Sequence, residues 1–285
     1  MKEKKFTLTS VIIYIVLTVW SLTTIYPIIW VVQNSFKAKD KILENSFALP
    51  TGDLFTLANY KKAFNNLNIF GAYKNSIFIS AVVAAVVVIL AGMAAFAMVR
   101  YSFKLKSTLH SLIMAAMMFP VFATIIPVFT METKWGIVNT SSWGLTMLSV
   151  ILPQIAGNLS FAMIVLMGYI RGLPIELEEA AYMEGCNAFQ IFFRVVVPLT
   201  KPSFATVAIF SFLWSYNDLF TQMFFLRRPE MRAITRLLNE LTSQEGTNYG
   251  LMAAAVTLVV VPVLIVYIFL QKYIIKGMTA GAIKG

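Results

Sequence analysis

An all-α integral membrane protein with about six transmembrane helices is the fold class this sequence predicts. Its 285 residues are 59% hydrophobic and only 13% charged, whereas a soluble domain carries roughly 25% charged residues. Mean hydropathy is +0.76, and several apolar runs are long enough to cross a hydrocarbon core of about 30 Å, which takes about 20 helical residues. None of these runs alternates apolar and polar residues as a membrane barrel strand does. Backbone that must satisfy itself in lipid is then left with the helix.

The opening MKEKKFTLTS precedes an apolar run from Val11 to Val32. That run is about twice the length of a secretory signal's hydrophobic core, and no small-residue cleavage site follows it. A first membrane helix that stays attached is expected. Five further spans are expected at 77–99, 109–129, 145–168, 204–225 and 251–270. In the second, Ala81 and Ala85 stand four apart, as do Ala91 and Ala95. Small residues at that spacing let helix backbones approach closely inside a bundle. Pro27, Pro120, Pro127, Pro153 and Pro262 all fall within spans, where each frees a backbone carbonyl and bends its helix.

The net charge of +10 belongs to the connecting segments, so it reads as loop charge beside anionic lipid and not as a nucleic-acid surface. With an inside N-terminus, twelve basic residues fall on the cytoplasmic side and eleven outside. That margin does not orient the chain. One cysteine, Cys186, and one histidine, His110, rule out an intrachain disulfide and argue against a thiolate or zinc site.

Residues 173–203, LPIELEEAAYMEGCNAFQIFFRVVVPLTKPS, interrupt the apolar pattern between the fourth and fifth spans. Four of the chain's thirteen acidic residues, Glu176, Glu178, Glu179 and Glu184, fall in nine positions there. Pro174 suits the first helical position and the glutamates suit the first turns. Gly185 is a natural stop in the left-handed conformation. A helix of about eleven residues, roughly 16 Å long, is expected. A second short helix is expected after Asn187 as its cap, with Phe189, Phe192, Phe193 and Val196 forming one apolar stripe. Ala180 and Ala181 make the first helix slim, so a partner could approach it while a carboxylate pairs with that partner's arginine. An ordinary amphipathic loop helix is the other reading.

The fifth span carries WSYND: Trp214, Tyr216, Asn217 and Asp218. Asp218 would lie about seven residues from the outer end, roughly 10 Å along a helix. A charge inside a membrane faces a bundle interior or a wet cavity. Rings beside hydrogen-bonding groups suit a sugar. Equally, Asp218 could cap or bridge helices, with the aromatics in the interfacial belt.

EAAYMEG followed by VVVP resembles the EAA signature of permease subunits in binding-protein-dependent ABC importers. The signature runs E-A-A, three residues, G, nine residues, I, any residue, L-P. Glu179, Ala180, Ala181, Gly185 and Pro198 match it, while Val195 and Val197 replace the isoleucine and leucine. LANYKKAF, IFSFLWSYNDLF and the ending KGMTAGAIKG are similar to the carbohydrate uptake branch, specifically the shorter subunit of maltose-type permeases.

The resemblance implies a type I importer permease bundle in a bacterial or archaeal cell (inner) membrane. It implies a cytoplasmic N-terminus (1–10), a six-helix permease domain (11–275) and a cytoplasmic tail (276–285). The 173–203 loop would hold a coupling helix, with Glu179, Ala180, Ala181, Tyr182, Met183, Glu184, Gly185 and Pro198 at the ATPase. Thr279, Ala280 and Gly281 would insert along the ATPase dimer. The implied partners are a homologous second permease, two ATPase subunits, an extracytoplasmic solute-binding protein and a sugar. ATP and Mg would sit on the ATPases, with no cofactor on this chain, and the chain contains no G-x-x-x-x-G-K-[ST] loop.

Two rivals come from other classes. An ion-coupled secondary carrier for a small polar solute wants more mid-membrane ionisable residues and an internal repeat. An intramembrane enzyme wants clustered catalytic groups, such as H-E-x-x-H or paired aspartates. None of these features is evident in the sequence.

Overall fold

The computed structural model describes residues 7–66, 68–244 and 248–282. Its helices are α1 (Leu8–Ser35), α2 (Lys39–Glu44), α3 (Ala58–Asn66), α4 (Ile69–Arg100), α5 (Lys106–Ala116), α6 (Val121–Lys134) and α7 (Trp143–Arg171). They continue as α8 (Glu176–Met183), α9 (Ala188–Ile191), a π-helical turn (Phe192–Val196), α10 (Val197–Leu199), α11 (Lys201–Asn217), α12 (Leu219–Phe225), α13 (Ile234–Gln244) and α14 (Tyr249–Ala282). Among the described residues four helices are long and apolar enough to cross a membrane, and six spans result if each of two bent pairs counts as one. The chain forms two compact units, Met1–Asn68 with Leu238–Val261, and Ile69–Leu237 with Pro262–Gly285.

In the first unit α1 starts at Thr7, whose hydroxyl accepts from Ser10 N. The hydroxyls of Ser21, Thr23 and Thr24 donate to carbonyls three or four residues back, so they present no unsatisfied donor to lipid. Past the end of α1 lies a polar knot. Lys37 is fully buried, and its Nζ donates to the Asn45 and Ser46 carbonyls at 3.2 and 3.3 Å. Burial lowers its pKa from the ordinary lysine value.

Asn59 Nδ2 ties this turn together by donating to Ser35 O and Lys37 O at 2.9 and 2.8 Å. Gly250 packs against the same point: a Cβ there would sit 2.4 Å from Lys37 O and 2.8 Å from Asn59 Nδ2. Overpacking of this kind costs about 1–3 kcal/mol. Gly250→Ala is expected to lower the thermal unfolding temperature of the detergent-purified protein. An unchanged unfolding temperature would show that the knot can spread.

In the second unit α4 runs through the middle of the core. Ile79, Val83, Val87, Ala91 and Ala95 of α4 pack with Val150, Leu166 and Ile170 of α7 and Val207 of α11. The small-residue expectation is met at Ala91 and Ala95 but not at Ala81 and Ala85, which are exposed. Residues advance by about 100° along a helix, and the buried face is the one through Ala84, Ala91 and Ala95.

The third expected span is not one straight helix. Its halves, α5 and α6, meet at 103°. Pro120 has no N–H to continue the ladder and caps α6 in an extended conformation. The fifth span also differs from expectation. The helix stops at Asn217, and Asp218 turns extended (φ −72°, ψ 92°) and starts α12 by accepting from Thr221 N.

At the end of α4 that carries Ile69, Asn75 accepts from the Trp143 indole at 3.0 Å and donates to Arg232 O at 3.1 Å. The neighbouring Ser76 hydroxyl accepts from Ile234 N at 2.8 Å. The other end of α4 terminates at Arg100, beside the EAA segment.

Candidate functional site

Two places in the second unit gather the residues that sequence reasoning singled out. The first is the EAA segment. α8 is eight residues long, shorter than the expected eleven. The helix begins late: the Leu173 carbonyl accepts from Arg100 at 3.0 Å, and the chain from Leu173 to Ile175 forms a connection before the first turn. Its end is a Schellman motif: Cys186 N donates to Ala181 O at 3.1 Å and Gly185 N to Tyr182 O at 3.0 Å. Gly185 takes φ +80°, which is the left-handed stop expected of it.

Most of the signature faces outward. Glu179, Ala180, Tyr182, Met183, Glu184, Gly185 and Pro198 are exposed, with Met183 at 85% and Tyr182 at 69%. Ala181 turns inward against the core. The exposed surface therefore mixes carboxylates with large apolar groups, and the fold leaves it uncovered.

Sequence reasoning missed the neighbouring acid. Glu178 is buried, and its Oε1 accepts from Arg100 at 2.7 Å from Nε and 2.6 Å from a terminal nitrogen. The pair joins α4 to α8 across 78 positions. Breaking a buried pair by removing one partner costs about 3–5 kcal/mol, since a charge is left uncompensated.

Asn187 caps α9 in a full capping box with Gln190, as its position suggests. The apolar stripe does not hold together. Phe192 and Val196 are buried while Phe189 and Phe193 are exposed. The π-helical turn over 192–196 shifts the register, so the four residues do not share one face.

The second place is a cavity of about 670 Å³ between the α5–α6 bend, α7 and the α11–α12 break. Trp214 and Asp218 line it, and Tyr216 and Asn217 do not. Tyr216 is buried at 4% exposure, and Asn217 is exposed and donates to its own helix at Leu213 O. The WSYND cluster is thus divided by the helical period.

The polar wall comes mainly from α7, whose residues carry no motif. Gln154 Nε2 donates to Asp218 Oδ2 at 2.9 Å, and its Oε1 accepts from the Ser215 hydroxyl at 2.5 Å. Asn158 Nδ2 donates to Gln154 O at 2.7 Å, while its buried Oδ1 has no hydrogen-bond partner among the described residues. Asp218 therefore both caps α12 and bridges α11 to α7, and it also faces a cavity.

Residues 88–280 match the model of the family described as binding-protein-dependent transport system inner membrane component. The chain belongs to this family. A putative ABC transporter permease of Caldicellulosiruptor sp. is 32% identical to it over 95% of this chain and 96% of its own. The arabinooligosaccharides transport system permease AraQ of Halalkalibacterium halodurans is 29% identical over the full length of both. A crystallised bacterial ABC transporter, described as importing the acidic polysaccharide alginate, contains a chain that superposes with TM-score 0.78 at 23% identity, covering 95% of this chain and 99% of that one.

The fold is that of a type I importer permease. This permease is a non-enzymatic membrane component of an ABC importer and works with a solute-binding protein and an ATPase. Family membership sets aside the ion-coupled carrier and the intramembrane enzyme that the residues alone left open. The tail positions Thr279, Ala280 and Gly281 fall in the last turns of α14, and their side chains lie outside the described residues.

Proposed function

We propose that this permease imports a sugar or oligosaccharide, driven by ATPase subunits that dock on α8. The observation that carries the docking half is the outward face of the EAA helix. Glu179, Tyr182, Met183 and Glu184 stand exposed around a slim backbone at Ala180 and Gly185. A partner cleft with a basic rim and an apolar floor fits that face: Glu179 meets the cation, and Tyr182 and Met183 fill the floor. Pro198 lies on the adjoining exposed turn, and Thr279, Ala280 and Gly281 follow the ATPase dimer. ATP and Mg are held on two ATPase subunits.

This reading places the 173–203 loop, the N-terminus (1–10) and the tail (276–285) in the cytoplasm of a bacterial or archaeal cell, around a permease domain spanning 11–275. A homologous second permease completes the pathway. Its presence agrees with α1, whose apolar side chains from Leu8 to Ile29 are exposed and need lipid or protein against them.

The saccharide class is supported by the relatives. One serves arabinooligosaccharides, one in Streptomyces coelicolor is a diacetylchitobiose uptake permease, and one in Thermoanaerobacterium thermosulfurigenes is a probable permease for starch degradation products. The cavity chemistry agrees. Trp214, 46% exposed, offers a ring for an apolar sugar face, while Asp218 and the Asn158 amide offer acceptors for hydroxyls. Tyr216 and Asn217 share the end of α11 with Trp214 but do not line the cavity.

Asp218→Asn keeps the side chain's shape and can keep the α12 cap while removing the charge. In reconstituted vesicles it is expected to cut saccharide uptake about tenfold, equivalent to about 1.4 kcal/mol, with the complex still assembled. Normal uptake kinetics in that variant would remove the charge from the mechanism.

A further inference from the structure

We infer that the Arg100–Glu178 pair is the positioning link that transfers movement of the EAA helix to α4, and through α4 to the opposite end of the second unit. The inference rests on the reading of α8 as the ATPase-docking helix. α8 is short and is joined to α7 through only Gly172, Leu173, Pro174 and Ile175. A short helix on such a connection could rock with a docked partner and leave the bundle still.

Arg100 prevents that. One guanidinium donates to Glu178 within α8 and to the Leu173 carbonyl in the connection. It therefore holds the connection and the first turn of α8 to the same side chain. The side chains of Arg100 and Glu178 are only 12% and 9% exposed. Water is poorly placed to replace either partner, so the two charges are held to each other. The consecutive acids divide the work: Glu179 faces outward and Glu178 faces the bundle.

What Arg100 is attached to makes the link useful. α4 is an unbroken 32-residue helix without proline, packed on α7 and α11 along its length. From Arg100 to Ser76 it spans about 36 Å. At that far end Asn75 and Ser76 hold Trp143, the Arg232 carbonyl and the Ile234 amide. A displacement of α8 thus reaches the 230–234 segment through one rigid element with hydrogen-bonded joints at both ends.

The test is a double-mutant cycle in the full importer, reconstituted with its ATPase and binding protein. The variants are Arg100→Gln, Glu178→Gln and both together. The readouts are ATPase copurification and saccharide transported per ATP hydrolysed. Each single variant is expected to keep the ATPase bound and to lose about tenfold in transport per ATP. The double variant is expected to be no worse than either single one, because the two residues act through each other.

Wild-type transport per ATP in the single variants overturns the inference. So does a double variant whose loss is the product of the two. So does loss of the ATPase from the single variants, which would make the pair part of docking or folding. Where a glutamine variant does not accumulate, Arg100→Lys takes its place with the same readouts, since a lysine keeps the charge but cannot fork to two acceptors. Failure of the docking reading shows separately, as an ATPase that stays bound when the exposed face of α8 is altered.

Discussion

Gly185→Asp is expected to strip the ATPase from the purified permease while the membrane bundle stays folded. Gly185 is the left-handed residue of the Schellman stop at the end of α8, with φ +80°. A side chain there strains the backbone by about 1–2 kcal/mol, and aspartate is among the residues that tolerate this region best. A Cβ at Gly185 meets nothing within 4 Å, so the fold has room for it. The damage falls on the partner. A new carboxylate beside the exposed Glu184 adds a second charge to the turn that a docked partner covers, where burial against the apolar floor leaves it unpaired. A loss of about 2–3 kcal/mol in association, or roughly 30- to 150-fold, is expected. It is read as the ATPase recovered with an affinity-tagged permease. Full recovery would return residues 173–203 to an ordinary amphipathic loop and leave the family assignment untouched.

Gln154→Leu is expected to reduce uptake by about tenfold or more without releasing the ATPase. Gln154 is 4% exposed and serves Asp218 and Ser215 at once, through 2.9 and 2.5 Å bonds. Leucine fills a similar volume but leaves Asp218 without its donor on α7 and the Ser215 hydroxyl without an acceptor. The Ser215 hydroxyl, 1% exposed and orphaned in this way, costs about 1–3 kcal/mol. The wall between α7 and the α11–α12 break then relaxes into the cavity. Gln154→Glu is expected to be worse, because two carboxylates would face each other across the same gap. Wild-type uptake in both variants would place the saccharide's route away from this cavity.

Several features of the fold were legible because they are decided within a few residues. Asn187 followed three positions later by Gln190 is a capping box in the sequence and in the structure. Gly185 ends α8 because a left-handed residue is needed there. Proline at position 120 breaks the third span because it brings no N–H to the ladder. Position 218 was less legible. A lone aspartate in an apolar run is compatible with a continuous helix, and the break is explained by its cap on Thr221 N together with its bond to Gln154, 64 positions away.

The functional surfaces divide in the same way. Glu178 and Glu179 are adjacent and chemically identical, and nothing local says that the first pairs with Arg100 while the second stays exposed. The register of α8 decides it, and Arg100 holds both Glu178 and the Leu173 carbonyl just before that helix. Gln154 and Asn158 went unnoticed since an amide in an apolar helix has no motif. Ala81 and Ala85 match Ala91 and Ala95 in spacing, yet only the second pair is buried.

By itself the sequence determined that this chain is a helical membrane protein, that its apolar runs are interrupted by an EAA loop, and that it resembles importer permeases. Composition, periodicity and caps are short-range properties, carried by residues within one or two helical turns of each other. The tertiary structure alone decided which acid turns inward, which polar residues share a cavity, and which end of α4 is tied to the EAA helix. Those depend on partners some 60 to 160 positions apart, where burial and unmet hydrogen bonds select one packing out of many that the same local pattern allows.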